Sequence, residues 1–170
     1  MRASAAPGQD RATAGHLWVD RAMVSLTTAA NYGRLWLLAA AGLATFGGRR
    51  GRRAASRGVA ALALASAVTN GPAKLLVSRR RPSTESRAAL IRMPSSSSFP
   101  SGHSASAFAF ATAVSRELPC LAPTIVPLAG AVAYSRVRTG VHYPSDVAAG
   151  SAIGIACGIL AGRLLRGATI

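Results

Sequence analysis

Acidic residues, lysine and aromatic side chains are all scarce in this chain. Among 170 residues only 5 are acidic against 20 basic, a net charge of +15, and aromatics make up 5%. One lysine, Lys74, stands among the basic residues, and the rest are arginines. The only cysteines, Cys120 and Cys157, lie in neither a CxxC pair nor a histidine cluster. That excludes a disulfide scaffold and gives no metal site, so no metal and no cofactor is expected, and both read as packing residues. No short basic start leads into an apolar core, so no cleavable leader is expected. A long polar surface is missing too. The arginines sit in clusters between apolar runs, the layout of a membrane protein with charged loops, which argues against a nucleic-acid partner.

Half of the residues are hydrophobic, with alanine and glycine abundant. Residues 1–15 read as a flexible tail. His16–Arg34 mixes Leu17, Trp18, Met23, Val24 and Leu26 with Asp20, Arg21 and Asn31, as in an amphipathic helix lying in the membrane interface. Five apolar segments follow: Leu35–Gly48, ending at the arginine run 49–53; Gly58–Leu76; the stretch from Ser101 to Val114; Leu118–Val132; and Val147–Leu165. Only the second and fifth approach the ~20 residues of a clean span. The expected fold is all-α, a polytopic membrane helical bundle of about five transmembrane helices plus the interfacial helix, with residues 16–170 as one membrane-embedded domain. Gly150, Gly154, Gly158 and Gly162 recur at steps of four, as do Ser101, Ala105, Ala109 and Ala113. Residues four apart share a helix face, and small faces let helices approach closely in lipid.

Three blocks carry the chemistry: Lys74-x6-Arg81-Pro82, Pro100-Ser101-Gly102-His103, and Ser135-Arg136-x5-His142-x3-Asp146. Following the chain through the expected segments brings all three to one membrane face. Ser101-Gly102 opens a helix, where unpartnered N–H groups and the dipole favour an anion. Lys74, Arg81 and Arg136 can surround phosphate oxygens, arginine gripping two at a time. Asp146, four residues beyond His142, can accept one imidazole N–H and leave the other nitrogen to attack phosphorus. His103 follows the amide turn and can protonate a departing oxygen. Each residue alone has a plainer role, as a helix-end anchor or a hydrogen-bonded loop histidine. Arg79, Arg80 and Arg138 read as anchors or lipid-headgroup contacts.

In order, spacing and residue type, these blocks resemble the signature of the type 2 phosphatidic acid phosphatase superfamily, a group of integral-membrane lipid phosphatases with soluble relatives. The resemblance implies metal-independent hydrolysis through a phosphohistidine. By it, His142 is the nucleophile, Asp146 orients it and His103 is the general acid, with Lys74, Arg81, Ser101, Gly102 and Arg136 holding the phosphate. It implies a lipid phosphate drawn from the bilayer as substrate, with polyprenyl-linked substrates considered first and undecaprenyl diphosphate and phosphatidylglycerol phosphate as competitors. It also implies the cell membrane as location, with an extracytoplasmic site. A homo-oligomer is left open. The rival classes are a vanadate-using peroxidase and a non-catalytic lipid-binding scaffold. Charge does not choose the membrane face: the run 49–57, Arg116, Arg163 and Arg166 lie on one side, and Arg21, Arg34, Arg79, Arg80, Arg87, Arg92 and Arg138 on the other.

Overall fold

The structure, a computed structural model, describes residues 7–82, 91 and 95–165. Arg87, Arg92, Arg166 and residues 1–6 of the expected tail lie outside these. Helices α1 (Pro7–Ala29), α2 (Arg34–Phe46), α3 (Gly48–Asn70), α4 (Pro72–Leu76), α5 (Gly102–Glu117), α6 (Ala122–Arg138) and α7 (Pro144–Leu164) account for the described secondary structure, with 3-10 turns at Asn31–Gly33 and Pro119–Leu121. There is no strand among the described residues. Pro119–Arg138 and Pro144–Leu164 are long and apolar enough to cross a membrane. The 13 residues of α2 and 16 of α5 rise only about 20 and 24 Å at 1.5 Å per residue, against a hydrocarbon core of about 30 Å.

Two boundaries differ from the sequence reading, for local reasons. The arginine run was expected in a loop, yet Arg49, Arg50, Arg52 and Arg53 lie in the opening turns of α3. The reversal is confined to Gly47 and Gly48, the latter at φ +59°, which glycine adopts without penalty. Arginine is a good helix former, and the run keeps its guanidinium groups exposed while Gly51, Ala54 and Ala55 face inward. At the other end, Gly58–Leu76 was expected as one segment. The helix instead stops at Gly71, because a residue before proline is pushed out of the helical region, and Pro72 starts the short helix α4 that redirects Lys74.

Helix α5 is the centre, packed against α3, α6 and α7. Its face toward α7 is the small-residue stripe. A Cβ added to Gly150 would fall 2.4 Å from the Ser101 carbonyl oxygen, one on Gly154 2.3 Å from that of Ala105, and one on Gly158 2.7 Å from that of Ala109. The two backbones are therefore in direct contact along three rungs of the expected ladder. Gly162 has open space. Toward α2 and α3 the core is larger: Trp36 and Phe110 are buried with ring centroids 5.5 Å apart. At the end of the bundle away from Lys74, Arg57 pairs with Glu117 and its Nη2 donates to the Leu165 carbonyl at 3.4 Å. Arg57, grouped with the loop charges in the sequence, is thus a buried tie between α3, α5 and the end of α7.

Helix α1 meets the bundle at the other end. Arg138 pairs with its Asp20 at 2.8 Å, and Arg136 donates to its Thr27. Arg138, expected as an anchor, is an inter-helix tie. Leu17 and Trp18 remain exposed. Gly154→Val should lower the thermal midpoint in detergent by the equivalent of at least about 1–3 kcal/mol, since neither backbone can move aside. Gly162→Ala should leave the midpoint unchanged or raise it slightly, by removing a helix-interior glycine.

Candidate active site

Lys74, Arg81, Gly102, His103, Arg136 and His142 all line one cavity of about 900 Å³. Ser101 and Asp146 are fully buried behind it. Six of the eight residues singled out in the sequence therefore share one space, and the other two support its wall.

The cations arrive by different routes. Lys74 Nζ donates to Asn70 Oδ1 at 3.1 Å and to Ser96 Oγ at 3.3 Å. Arg81 spans the loops: Nε to the Ser96 carbonyl at 3.1 Å, Nη2 to Ser96 Oγ and the Ser97 carbonyl at 3.3 Å each, and Nη1 to the Val141 carbonyl at 2.8 Å. Arg136 is buried on the last turn of α6, held by Thr27. Ser96 and Ser97, in the serine run before Phe99, form the bracket that fixes two of the three cations.

The helix start differs from the expectation in one respect. Both Ser101 and Gly102 were expected to offer amides to an anion. The Ser101 N–H instead donates to the Asp146 carbonyl at 3.0 Å, and Ser101 Oγ caps α5 by accepting from the Ser104 N–H at 3.4 Å and hydroxyl at 2.9 Å. The close contact of α5 with α7 draws Ser101 into the core. The amides of Gly102 and His103 remain at the open helix end, on the cavity side.

The histidines have opposite polarity. Arg81 Nη1 lies 3.3 Å from His142 Nε2. Arginine only donates, so Nε2 is the acceptor and the proton sits on Nδ1. That nitrogen faces Asp146 Oδ2 at 3.7 Å, longer than a hydrogen bond. The Nε2 lone pair is thereby presented among the cations. His103 Nε2 lies 2.9 Å from the amide oxygen of Asn31, which makes it the donor. Burial, then the charges of Arg136 and Arg81, pull the His142 pKa from 6.5 down to about 3.

Asp146 is held on every side. Ser98 Oγ donates to Oδ2 at 2.5 Å, the Tyr143 N–H to Oδ2 at 2.9 Å, and Arg79 Nη1 to Oδ1 at 2.8 Å. Arg79 also bonds Ser145 at 2.8 Å and lies 4.1 Å from the centre of the Tyr143 ring. Arg79, read as an anchor, thus fixes the carboxylate. The signal was present: in the extended stretch before Pro82, residues two apart face the same way, so Arg79 and Arg81 point inward while Arg80 is exposed. Ser98, Thr27 and Asn31 had no such signal, because their roles depend on long-range packing.

The family model described as the PAP2 superfamily matches residues 56–169. Decaprenylphosphoryl-5-phosphoribose phosphatase of Mycobacterium tuberculosis is 41% identical over 87 residues, 51% of this chain and 48% of that protein. The protein of that name from Mycolicibacterium smegmatis is 40% identical over 114 residues, 67% of this chain and 60% of that protein. The chain thus matches about half to three fifths of the length of these curated relatives. Among solved structures, Aquifex aeolicus LpxE superposes with a TM-score of 0.72 at 27% identity, covering 86% of each chain. A transmembrane PAP2-type phosphatidylglycerolphosphate phosphatase from Bacillus subtilis gives 0.64 at 24% identity, over 89% of this chain and 79% of that one, a likeness of fold.

Because His142 stays neutral in the folded chain down to about pH 3 but titrates near 6.5 when exposed, the unfolded state takes up a proton that the native state does not. Its contribution to stability should be full above pH 6.5 and be lost toward pH 3, with a slope of up to about 1.4 kcal/mol per pH unit. Thermal midpoints against pH should be visibly flatter in His142→Gln. Ser98→Ala should lower the midpoint at neutral pH by the equivalent of about 1.5–3 kcal/mol, the worth of a buried hydrogen bond to a charged group.

Proposed function

Since the chain belongs to the PAP2 superfamily, we propose that it is a metal-independent phosphatase of membrane lipids, working through a phosphohistidine. The observation that carries this reading is the paired polarity of the histidines: an Nε2 lone pair on His142 set among cations, and an Nε2–H on His103 across the same cavity. The substrate phosphate is held by Lys74, Arg81 and Arg136 and by the amides of Gly102 and His103, with Ser101 fixing the helix start. Such preorganised positive charge stabilises in-line phosphoryl transfer.

His142 Nε2 attacks phosphorus, and the bond to the leaving oxygen breaks. The charge that develops on the imidazole is balanced by Asp146, which Arg79 and Ser98 hold in place. The phosphate dianion brings negative charge next to His103 and raises its proton affinity. His103, having taken a solvent proton on Nδ1, delivers its Nε2 proton to the leaving oxygen, which displaces the Asn31 amide oxygen, and the ring returns to neutral. Water next attacks the phosphohistidine while His103 takes its proton, releasing phosphate and restoring both rings.

The substrate we favour is a polyprenyl-linked phosphate of the kind named for the curated relatives, a decaprenylphosphoryl-5-phosphoribose. Undecaprenyl diphosphate and phosphatidylglycerol phosphate are the alternatives. We place the protein in the cell membrane, with residues 16–170 as one embedded unit. Charge now favours an extracytoplasmic site. Among the described residues, Arg49, Arg50, Arg52, Arg53, Arg116 and Arg163 are exposed at the end away from the cavity, against exposed Arg21, Arg34 and Arg80 at the cavity end, where Arg79 and Arg138 are paired with Asp146 and Asp20. Exposed positive charge marks the cytoplasmic side.

Purified protein in detergent with a chelator should release phosphate from these lipids, and His142→Ala should abolish release, by at least about a thousandfold, without unfolding the bundle. Release that requires added metal, or that survives in His142→Ala, would sink this mechanism.

A further inference from the structure

Below the phosphate cradle the cavity wall stays polar for one helical turn and only then becomes apolar. Lys74, Asn70, Ser66 and Leu62 follow one another at steps of four on the wall formed by α4 and α3. Lys74 bonds Asn70 Oδ1, and Asn70 Nδ2 donates to Ser66 Oγ at 3.1 Å. On the facing wall, Ser106 lies one turn below Gly102, and among the described residues its hydroxyl has no partner. Asn70 adjoins the cradle: a Cβ on Gly102 would sit 3.7 Å from Asn70 Oδ1. Each four-residue step descends about 6 Å. Leu62, the next step on α3, already packs toward Gly33.

We infer that Asn70, Ser66 and Ser106 form a hydroxyl-recognising subsite, and that the scissile phosphate is carried on a small polyol, a sugar or a glycerol, placed between it and the lipid tail. This rests on the phosphatase reading and narrows its substrate class. The leaving oxygen is the one His103 protonates, and Ser106 follows His103 by three residues on the same face of α5. What hangs from that oxygen therefore enters the Ser66–Ser106 level. A band one turn deep matches one polyol unit. A phosphate borne directly on a hydrocarbon chain would set methylenes against these hydroxyls and the Asn70 amide, stripping them of water without return. The lysine and arginines lining the cavity are the three already at the cradle, so a second phosphate at this depth would meet no further one among the described residues.

The test compares kcat/KM of the full chain in detergent on three lipids. A polyprenylphosphoryl phosphoribose offers sugar hydroxyls, phosphatidylglycerol phosphate a single free glycerol hydroxyl, and phosphatidic acid none. The two polyol phosphates should exceed phosphatidic acid by at least about tenfold, and their order tells which polyol the site was built for. Ser66→Ala and Ser106→Ala should each reduce the polyol-to-phosphatidic-acid ratio by about three- to tenfold, the worth of one neutral hydrogen bond, mainly through KM. An unchanged ratio in both variants, or a wild type that prefers phosphatidic acid, overturns the subsite while His142-dependent turnover keeps the phosphatase reading. Absence of turnover on all three by folded wild type overturns both.

Discussion

The contact between α5 and α7 is the constraint on which the site depends. Three glycines on α7 lie against backbone carbonyls of α5, so close that a single methyl group could not be inserted. In lipid, where apolar side chains gain little by leaving hydrocarbon for protein, such close packing is what holds helices together. The same contact sets the register of the chemistry. Asp146 opens α7 and Ser101 caps α5, and the Ser101 N–H bonds to the Asp146 carbonyl at the top of the ladder. Sliding one helix by a turn would move His103 about 5 Å relative to His142.

Above this ladder the structure solves an electrostatic problem. Three cations and two histidines surround a cavity with a single carboxylate behind it. The cations are held mainly by neutral oxygens, from Ser96, Ser97, Asn70, Thr27 and the Val141 carbonyl. Their charge is thereby kept for an incoming anion. The carboxylate is withdrawn from them by Ser98, Tyr143 and Arg79, and its remaining reach is toward His142 Nδ1. His142, held neutral, keeps Nε2 as an acceptor, while Asn31 holds His103 with Nε2 as the donor.

The extent to which this was legible follows from what each residue depends on. Lys74, Arg81, Gly102, His103, Arg136 and His142 could be grouped from spacing and segment count, because a membrane allows few paths and alternate connections must return to the same face. The ladder was legible because it is periodic. Arg79 was half legible, through the two-residue alternation of an extended stretch. Arg57 and Arg138 were misjudged: an arginine destined for a buried ion pair looks in sequence like one bound for a headgroup, and Glu117 and Asp20 lie far away along the chain.

The sequence by itself determined the helical class, the small-residue face that brings α5 and α7 together, and the set of groups able to hold a phosphate, since these rest on local periodicity and residue chemistry. Tertiary structure alone decided which nitrogen of each histidine faces the cavity, which serines hold the cations, that Ser101 supports the wall instead of lining the cavity, and that α1 supplies Thr27 and the 3-10 turn after it Asn31. Those outcomes depend on hydrogen bonds between residues up to 109 positions apart, and no local pattern in the chain encodes a partner at that distance.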